Sequence, residues 1–193
     1  MKIFLFGGAF DPPHLGHQYI TKNLLKKGLA DEVWYVPVKS HPFSKQMSSV
    51  EHRLAMLNLL INGDFRIKIE TYELEKQGVS YSHETLDALA KKYPEHEFSW
   101  VIGSDNLNKF HLWSGGEGRS FRELLKNYSF YVYPRQGFEF SPLYENMIAL
   151  EEMKEVVVSS TNVREALSKG ESILEFVDPK VAEFIEENGL YQS

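Results

Sequence analysis

Residues 7–17 read Gly7-Gly8-Ala9-Phe10-Asp11-Pro12-Pro13-His14-Leu15-Gly16-His17, and they decide how the rest of the chain is interpreted. Residues 2–6, just before them, form a short apolar run that is typical of a buried strand. The glycines permit a sharp turn of bare backbone, and from Leu15 onward the apolar residues follow helical spacing. A strand, a glycine turn and a helix together present backbone N–H groups and a helix dipole to an anion.

The chemistry of this turn differs from the common phosphate-binding loops. It contains neither a Walker sequence nor a dinucleotide fingerprint. Instead, His14 and His17 stand three residues apart at the helix start and therefore share a face. Two imidazoles there can donate hydrogen bonds to phosphate oxygens. The alternative, an ordinary turn with two surface histidines, is disfavoured because histidines, glycines and Phe10-Asp11-Pro12 occur together.

Composition sets the class of protein. The chain has 193 residues, 42% of them hydrophobic, and no cysteine. We therefore expect one domain spanning 1–193 and no disulfide or thiolate chemistry. A net charge of −6 without a basic run argues against a nucleic-acid partner. No apolar run approaches membrane-spanning length, and the first residues resemble a strand rather than a signal peptide, so we expect no membrane partner and a cytoplasmic location.

Strand and helix signals alternate along most of the chain. This alternation predicts an α/β fold with a Rossmann-like, open, mainly parallel sheet and helices on both faces. A capping box of Ser48 with Glu51 and a cap at Ser82 predict two helix starts. Residues 138–154 give no clear signal. The expected strands are 2–6, 32–37, 66–71, 98–103, 128–133 and 155–158.

A second candidate anion site lies at Ser159-Ser160-Thr161-Asn162-Val163-Arg164. Hydroxyl side chains at a helix start usually cap it, and we expect one of them to do so. Three in succession, with an arginine in the first turn, also suit a polyphosphate tail.

The pattern G-G-x-F-D-P-x-H-x-G-H closely resembles the signature of the HxGH nucleotidyltransferases, and within them the bacterial nicotinate-mononucleotide adenylyltransferase family. The Ser-Ser-Thr-x-x-Arg sequence at 159–164 resembles the motif that binds ATP phosphates in that family. The similarity extends over nearly the whole chain. It continues at 80–86, 102–106, Phe110, Trp113, Arg135 and 185–191.

The resemblance implies transfer of AMP from ATP to a pyridine mononucleotide, with release of pyrophosphate and no protein nucleophile. It assigns catalysis to His14, His17 and Arg164, and it implies Mg²⁺ carried by the ATP phosphates rather than by a protein metal site. The ATP-binding residues implied are Gly7, Gly8, Phe10, His14, His17, Lys45, Ser159, Ser160, Thr161 and Arg164. The pyridine-nucleotide-binding residues implied are Asp11, Ser82, Thr85, Asp105, Trp113 and Arg135, with Trp113 stacking on the pyridine ring.

Departures from the family pattern leave the acceptor open. Family members usually carry Pro-Asn after the second strand and then Pro-Pro-His-Lys, whereas this chain has Pro37-Val38 and His41-Pro42-Phe43-Ser44-Lys45. Nicotinate mononucleotide is the expected acceptor, and nicotinamide mononucleotide is the alternative. A pantetheine-phosphate or cytidylyl transferase and a non-catalytic nucleotide-binding regulator are further alternatives. Whether the chain forms a homo-oligomer is also open.

Overall fold

The computed structural model describes residues 1–39, 47–76, 81–113 and 119–192. Their core is a six-stranded sheet in the order β3-β2-β1-β4-β5-β6, and every neighbouring pair is parallel. The strands are β1 (Lys2–Gly8), β2 (Glu32–Pro37), β3 (Ile67–Ile69), β4 (Glu97–Gly103), β5 (Ser129–Tyr133) and β6 (Met147–Ala149). The helices are α1 (Leu15–Lys26), α2 (Val50–Ile61), α3 (Tyr72–Glu75), α4 (Ser82–Lys92), α5 (Phe121–Asn127), α6 (Ser160–Ser168) and α7 (Pro179–Glu187), with a 3₁₀ helix at Ser104–Leu112.

Both faces of the sheet are covered, because β1 alternates between two apolar clusters. Phe4 and Phe6 pack with α1, α2, α6 and α7. Ile3 and Leu5 pack with α4, α5 and the 3₁₀ helix on the opposite face. Strands buried on both faces are characteristic of parallel sheets. The predicted open parallel sheet with helices on both faces is confirmed.

Three local predictions are wrong. The helix α2 is capped by Ser49, whose side chain accepts the His52 N–H, and not by Ser48, whose backbone N–H donates to the carboxylate of Asp11. Ser82 is the first residue of α4 rather than its cap.

The expected last strand at 155–158 is also absent. Only Val156 forms an isolated bridge, with Arg135, because the chain turns back to Phe138 directly after Arg135 and offers no further partner. The sixth strand instead lies at Met147–Ala149, in the stretch that had no clear sequence signal.

Candidate active site

The candidate site lies at the carboxyl ends of β1 and β4, which are neighbours in the middle of the sheet. Successive strands are added on one side through β2 and on the other through β4, so this position is a topological switch point. The strand β1 continues into the turn at 9–14 and then α1, and β4 continues into the 3₁₀ helix that begins at Ser104. Ligands of open α/β sheets bind at such an edge.

The end of β1 and the turn that follows it are packed closely against aromatic side chains of the core. A Cβ atom at Gly7 would lie 2.5 Å from the Trp100 ring, so only glycine fits there without displacing the indole. Phe10 has a φ of 50° and is 1% exposed, with its ring edge-on to Phe6 and Tyr35. The predicted ATP contact of Phe10 therefore cannot come from its ring as placed here. The ring instead supports the turn from the core.

The two signature histidines are stacked on each other. Their ring centroids are 3.7 Å apart, and the backbone N–H of His14, the residue that caps α1, donates to Nδ1 of His17 at 3.1 Å. Because Nδ1 of His17 accepts a hydrogen bond, its proton in the neutral ring is on Nε2, which is left as a donor. Nδ1 of His14 is buried and has no hydrogen-bond partner among the described residues.

Both imidazoles are neutral in the protein without ligand. Burial, with a further contribution from the charge of Arg135, lowers the pKa of His14 to about 3. Burial also lowers the pKa of His17 well below its usual value, and the charge of Arg135 and any protonation of His14 act in the same direction. An approaching phosphate would raise both pKa values, since an anion favours the imidazolium form.

The low pKa of His14 predicts acid sensitivity of the ligand-free protein. The unfolded chain binds a proton at this residue below pH ~6.5, whereas the folded chain does not until the pH nears its lowered pKa. We expect the free energy of unfolding to fall by about 2 kcal/mol from pH 7 to pH 5 through His14. Urea unfolding at both pH values should show a smaller fall in His14→Gln than in the unchanged protein. An identical fall in both would contradict the assigned pKa.

The second candidate anion site adjoins the first. Ser159 caps α6 in a reciprocal pair with Asn162, as expected for one hydroxyl of the run. Ser160 Oγ donates to the carbonyl of Pro12 at 2.8 Å, and Arg164 Nη1 donates to the carbonyl of Asp11 at 2.6 Å. The N-terminus of α6 is thereby tied to the turn that carries the histidines. Thr161 is exposed, and its hydroxyl accepts a bond from Arg164.

Two residues expected at the pyridine nucleotide, Asp11 and Thr85, form hydrogen bonds to other residues of the protein. Asp11 is 3% exposed, and its carboxylate accepts the N–H of Ser48 at 3.2 Å and the hydroxyl of Tyr191 at 2.6 Å. Thr85 is fully buried and donates to Glu73 at 2.8 Å. As placed here, both support neighbouring elements and do not line an open cleft.

Of the other predicted acceptor-side residues, Asp105 and Arg135 lie just after the ends of β4 and β5. Asp105 Oδ2 lies 3.9 Å from Nε of Arg135, and Arg135 Nη1 donates to the carbonyl of Val158 at 2.7 Å. The positive charge of Arg135 also contributes to the lowered pKa values of both histidines. Trp113 ends the 3₁₀ helix and stacks on Phe110 at 4.9 Å between centroids. Ser82, at the start of α4, is half-buried.

Sequence reasoning missed two residues that the structure places at this junction, Arg53 and Tyr191. The signal for Arg53 is its position, because it shares the apolar face of α2 with Met56, Leu57 and Leu60. Tyr191 lies in the stretch 185–191 that resembles the family, but nothing local indicated its role, since its partner Asp11 is 180 residues away. Lys45, expected at the ATP phosphates, lies outside the described residues.

The described residues contain neither a metal-ligand cluster nor a membrane-spanning helix. In residues 1–39, 47–76, 81–113 and 119–192, no group of three or more histidine, aspartate or glutamate side chains could hold a metal ion. Nor does any helix in these ranges combine the length and apolar character needed to cross a membrane.

Known proteins match the whole chain. A family model described as cytidylyltransferase-like matches residues 5–166. The nicotinate-nucleotide adenylyltransferase of Bacillus subtilis is 33% identical, over 100% of this chain and 99% of that protein. A Halalkalibacterium halodurans protein, described as a probable nicotinate-nucleotide adenylyltransferase, is 36% identical over 100% of this chain and 92% of its own.

A solved structure has the same fold. The nicotinic acid mononucleotide adenylyltransferase of Plasmodium falciparum, complexed with NaAD, aligns with a TM-score of 0.78 over 98% of this chain and 97% of its own, at 22% identity. The full-length similarity to curated relatives, together with the HxGH turn and the motif at 159–164, establishes the family. The chain belongs to the nicotinate-nucleotide adenylyltransferase family of cytidylyltransferase-like proteins.

Proposed function

We propose that this chain, acting as a single nucleotidyltransferase domain, transfers AMP from ATP to nicotinate mononucleotide. The products are deamido-NAD and pyrophosphate, and the reaction is a step of NAD biosynthesis. One observation carries the proposal beyond family membership. Hydrogen bonds from Ser160 and Arg164 to the carbonyls of Pro12 and Asp11 join two helix N-termini into one anion-binding edge. Two adjoining anion sites suit a reaction in which both substrates carry phosphate.

The proposed reaction depends more on the alignment of the two substrates than on acid–base chemistry by the protein. A phosphate oxygen of the acceptor attacks the α-phosphorus of ATP, a new P–O bond forms, and the bond to the bridging α,β oxygen breaks as pyrophosphate leaves. The acceptor phosphate is already anionic, so no protein base has to activate it. Catalysis then comes from positioning two polyanions and from stabilising charge in the transition state.

The residues at the edge divide these tasks. The Gly7-Gly8 backbone, His14 and His17 hold the ATP phosphates, with Nε2–H of His17 directed to the α-phosphate. Thr161, Arg164 and the N-terminus of α6 hold the leaving pyrophosphate. Arg164 is suited to this because its guanidinium forms parallel bonds to phosphate oxygens.

The acceptor lies on the β4 side. Asp105 and Arg135 stand at the end of β4 and β5, and Trp113 offers an aromatic surface for the pyridine ring. We place Mg²⁺ on the ATP phosphates, where it would neutralise part of their charge, since the described residues hold no cluster of metal ligands.

The acceptor preference tests this assignment. Pyrophosphate release from Mg-ATP is measured with nicotinate mononucleotide, nicotinamide mononucleotide and pantetheine phosphate in parallel. We expect kcat/KM for the nicotinate acceptor to exceed that for the amide at least tenfold. Preference for nicotinamide mononucleotide would indicate that the altered sequence after Pro37 determines the choice of acceptor. Release only with pantetheine phosphate would overturn the proposal, and binding of ATP without any release would favour a regulator.

A further inference from the structure

Arg53 is the most deeply buried charged side chain near the site. It is 1% exposed and lies on the apolar face of α2. A buried guanidinium is costly unless hydrogen bonds satisfy it. Its position close to the candidate active site, rather than in an ion pair at the surface, requires an explanation.

The guanidinium is bonded to the backbone of separate segments. Nη1 donates to the carbonyl of Ala9 at 2.8 Å and to that of Val38 at 2.8 Å. Nε donates to the carbonyl of Ser48 at 3.3 Å. Ala9 begins the turn after β1, Val38 follows β2, and Ser48 precedes α2. One side chain therefore fixes the backbone at the ends of two central strands and at the start of a helix.

These contacts lead directly to the anion-binding residues. Ser48 donates its N–H to the Asp11 carboxylate, and Arg164 donates to the carbonyl of the same residue. Ala9 is followed by the turn that places His14 at the start of α1. A shift of the backbone at Ala9 or Ser48 would therefore change both the histidine turn and its link to α6.

We infer that Arg53 is a positioning residue that holds the histidine turn in the geometry required for polyphosphate binding. It touches no substrate; it acts through Ala9, Val38 and Ser48. This inference rests on the proposed function. A planar guanidinium reaches several carbonyls at fixed angles, whereas a lysine ammonium retains the charge without that fork.

The inference is tested with Arg53→Met and Arg53→Lys. A matched control is Tyr128→Phe, which breaks a hydrogen bond to Asp87 on the opposite face of the sheet from α2. A purely structural role lowers the fraction of folded protein and hence kcat, but leaves KM unchanged. For Arg53→Met we expect KM for ATP to rise about tenfold and kcat/KM to fall about 100-fold, the scale of a small misplacement at a reacting centre. In Arg53→Lys we expect KM to rise about threefold.

Binding of a non-hydrolysable ATP analogue, measured by calorimetry, provides a readout that does not need turnover. We expect its Kd to rise about tenfold in Arg53→Met and less than twofold in Tyr128→Phe. If Arg53→Met does not fold, the inference is tested by the expected threefold rise of KM for ATP in Arg53→Lys. Kd and KM within twofold of the unchanged protein, in a folded Arg53 variant, would overturn the inference. Inactivity of the unchanged protein with intact analogue binding would count against the proposed function alone.

Discussion

Replacing His17 with alanine is expected to lower kcat for AMP transfer about 10²- to 10³-fold while the chain still folds. In the proposed mechanism the imidazole Nε2–H donates to the reacting α-phosphate, and loss of one such donor at a developing charge has an effect of this size. His17→Gln, whose amide can also donate, should retain more activity. The measurement is steady-state pyrophosphate release, with circular dichroism and melting to verify folding.

His96→Ala is the matched control for that experiment. His96 precedes β4 at the amino end of the sheet, away from the site, and stacks on Tyr93. We expect its kcat to stay within twofold of the unchanged protein. Near-normal turnover in a folded His17→Ala protein would remove the central role assigned to this residue.

Replacing Arg164 with alanine is expected to have the second largest effect, a fall in kcat/KM for ATP of about 100-fold. The guanidinium joins α6 to the carbonyl of Asp11. In the proposed mechanism it also supplies positive charge where pyrophosphate leaves. Arg164→Lys keeps the charge but not the bidentate geometry, so we expect an intermediate loss. The inhibition constant of pyrophosphate should rise about tenfold in Arg164→Ala.

Arg122→Ala serves as the arginine control, because Arg122 is exposed on α5 and lies against the ring of Phe121. It should leave both kcat/KM and the inhibition constant unchanged. If pyrophosphate inhibits Arg164→Ala as strongly as the unchanged protein, Arg164 only joins α6 to the turn and does not bind the leaving group.

The parts of the fold predicted from the sequence are those with local signals. The strand, turn and helix at 2–26 and the helix after Ser159 follow from apolar periodicity, glycines and a hydroxyl cap. The alternation of strand and helix signals along the chain was sufficient to predict the parallel sheet. The short strand β6 was not predicted, because a strand of three residues with Ile148 exposed at its centre carries little periodicity.

The interior of the site depended on contacts that no local pattern contains. Asp11 belongs to a recognisable motif, yet its carboxylate is engaged by Ser48 and Tyr191, which are 37 and 180 residues away. Phe10 has a similar position in the motif, but its ring belongs to the core. Motif membership thus predicted where these residues lie and could not predict which way their side chains face.

The central claim is tested most directly by the product formed from Mg-ATP and nicotinate mononucleotide. Chromatography with mass detection follows deamido-NAD over time, and pyrophosphate is measured in the same samples. We predict that deamido-NAD and pyrophosphate accumulate in equal amounts and that both depend on His17. Absence of deamido-NAD, with protein that is folded and binds ATP, would contradict the proposed function.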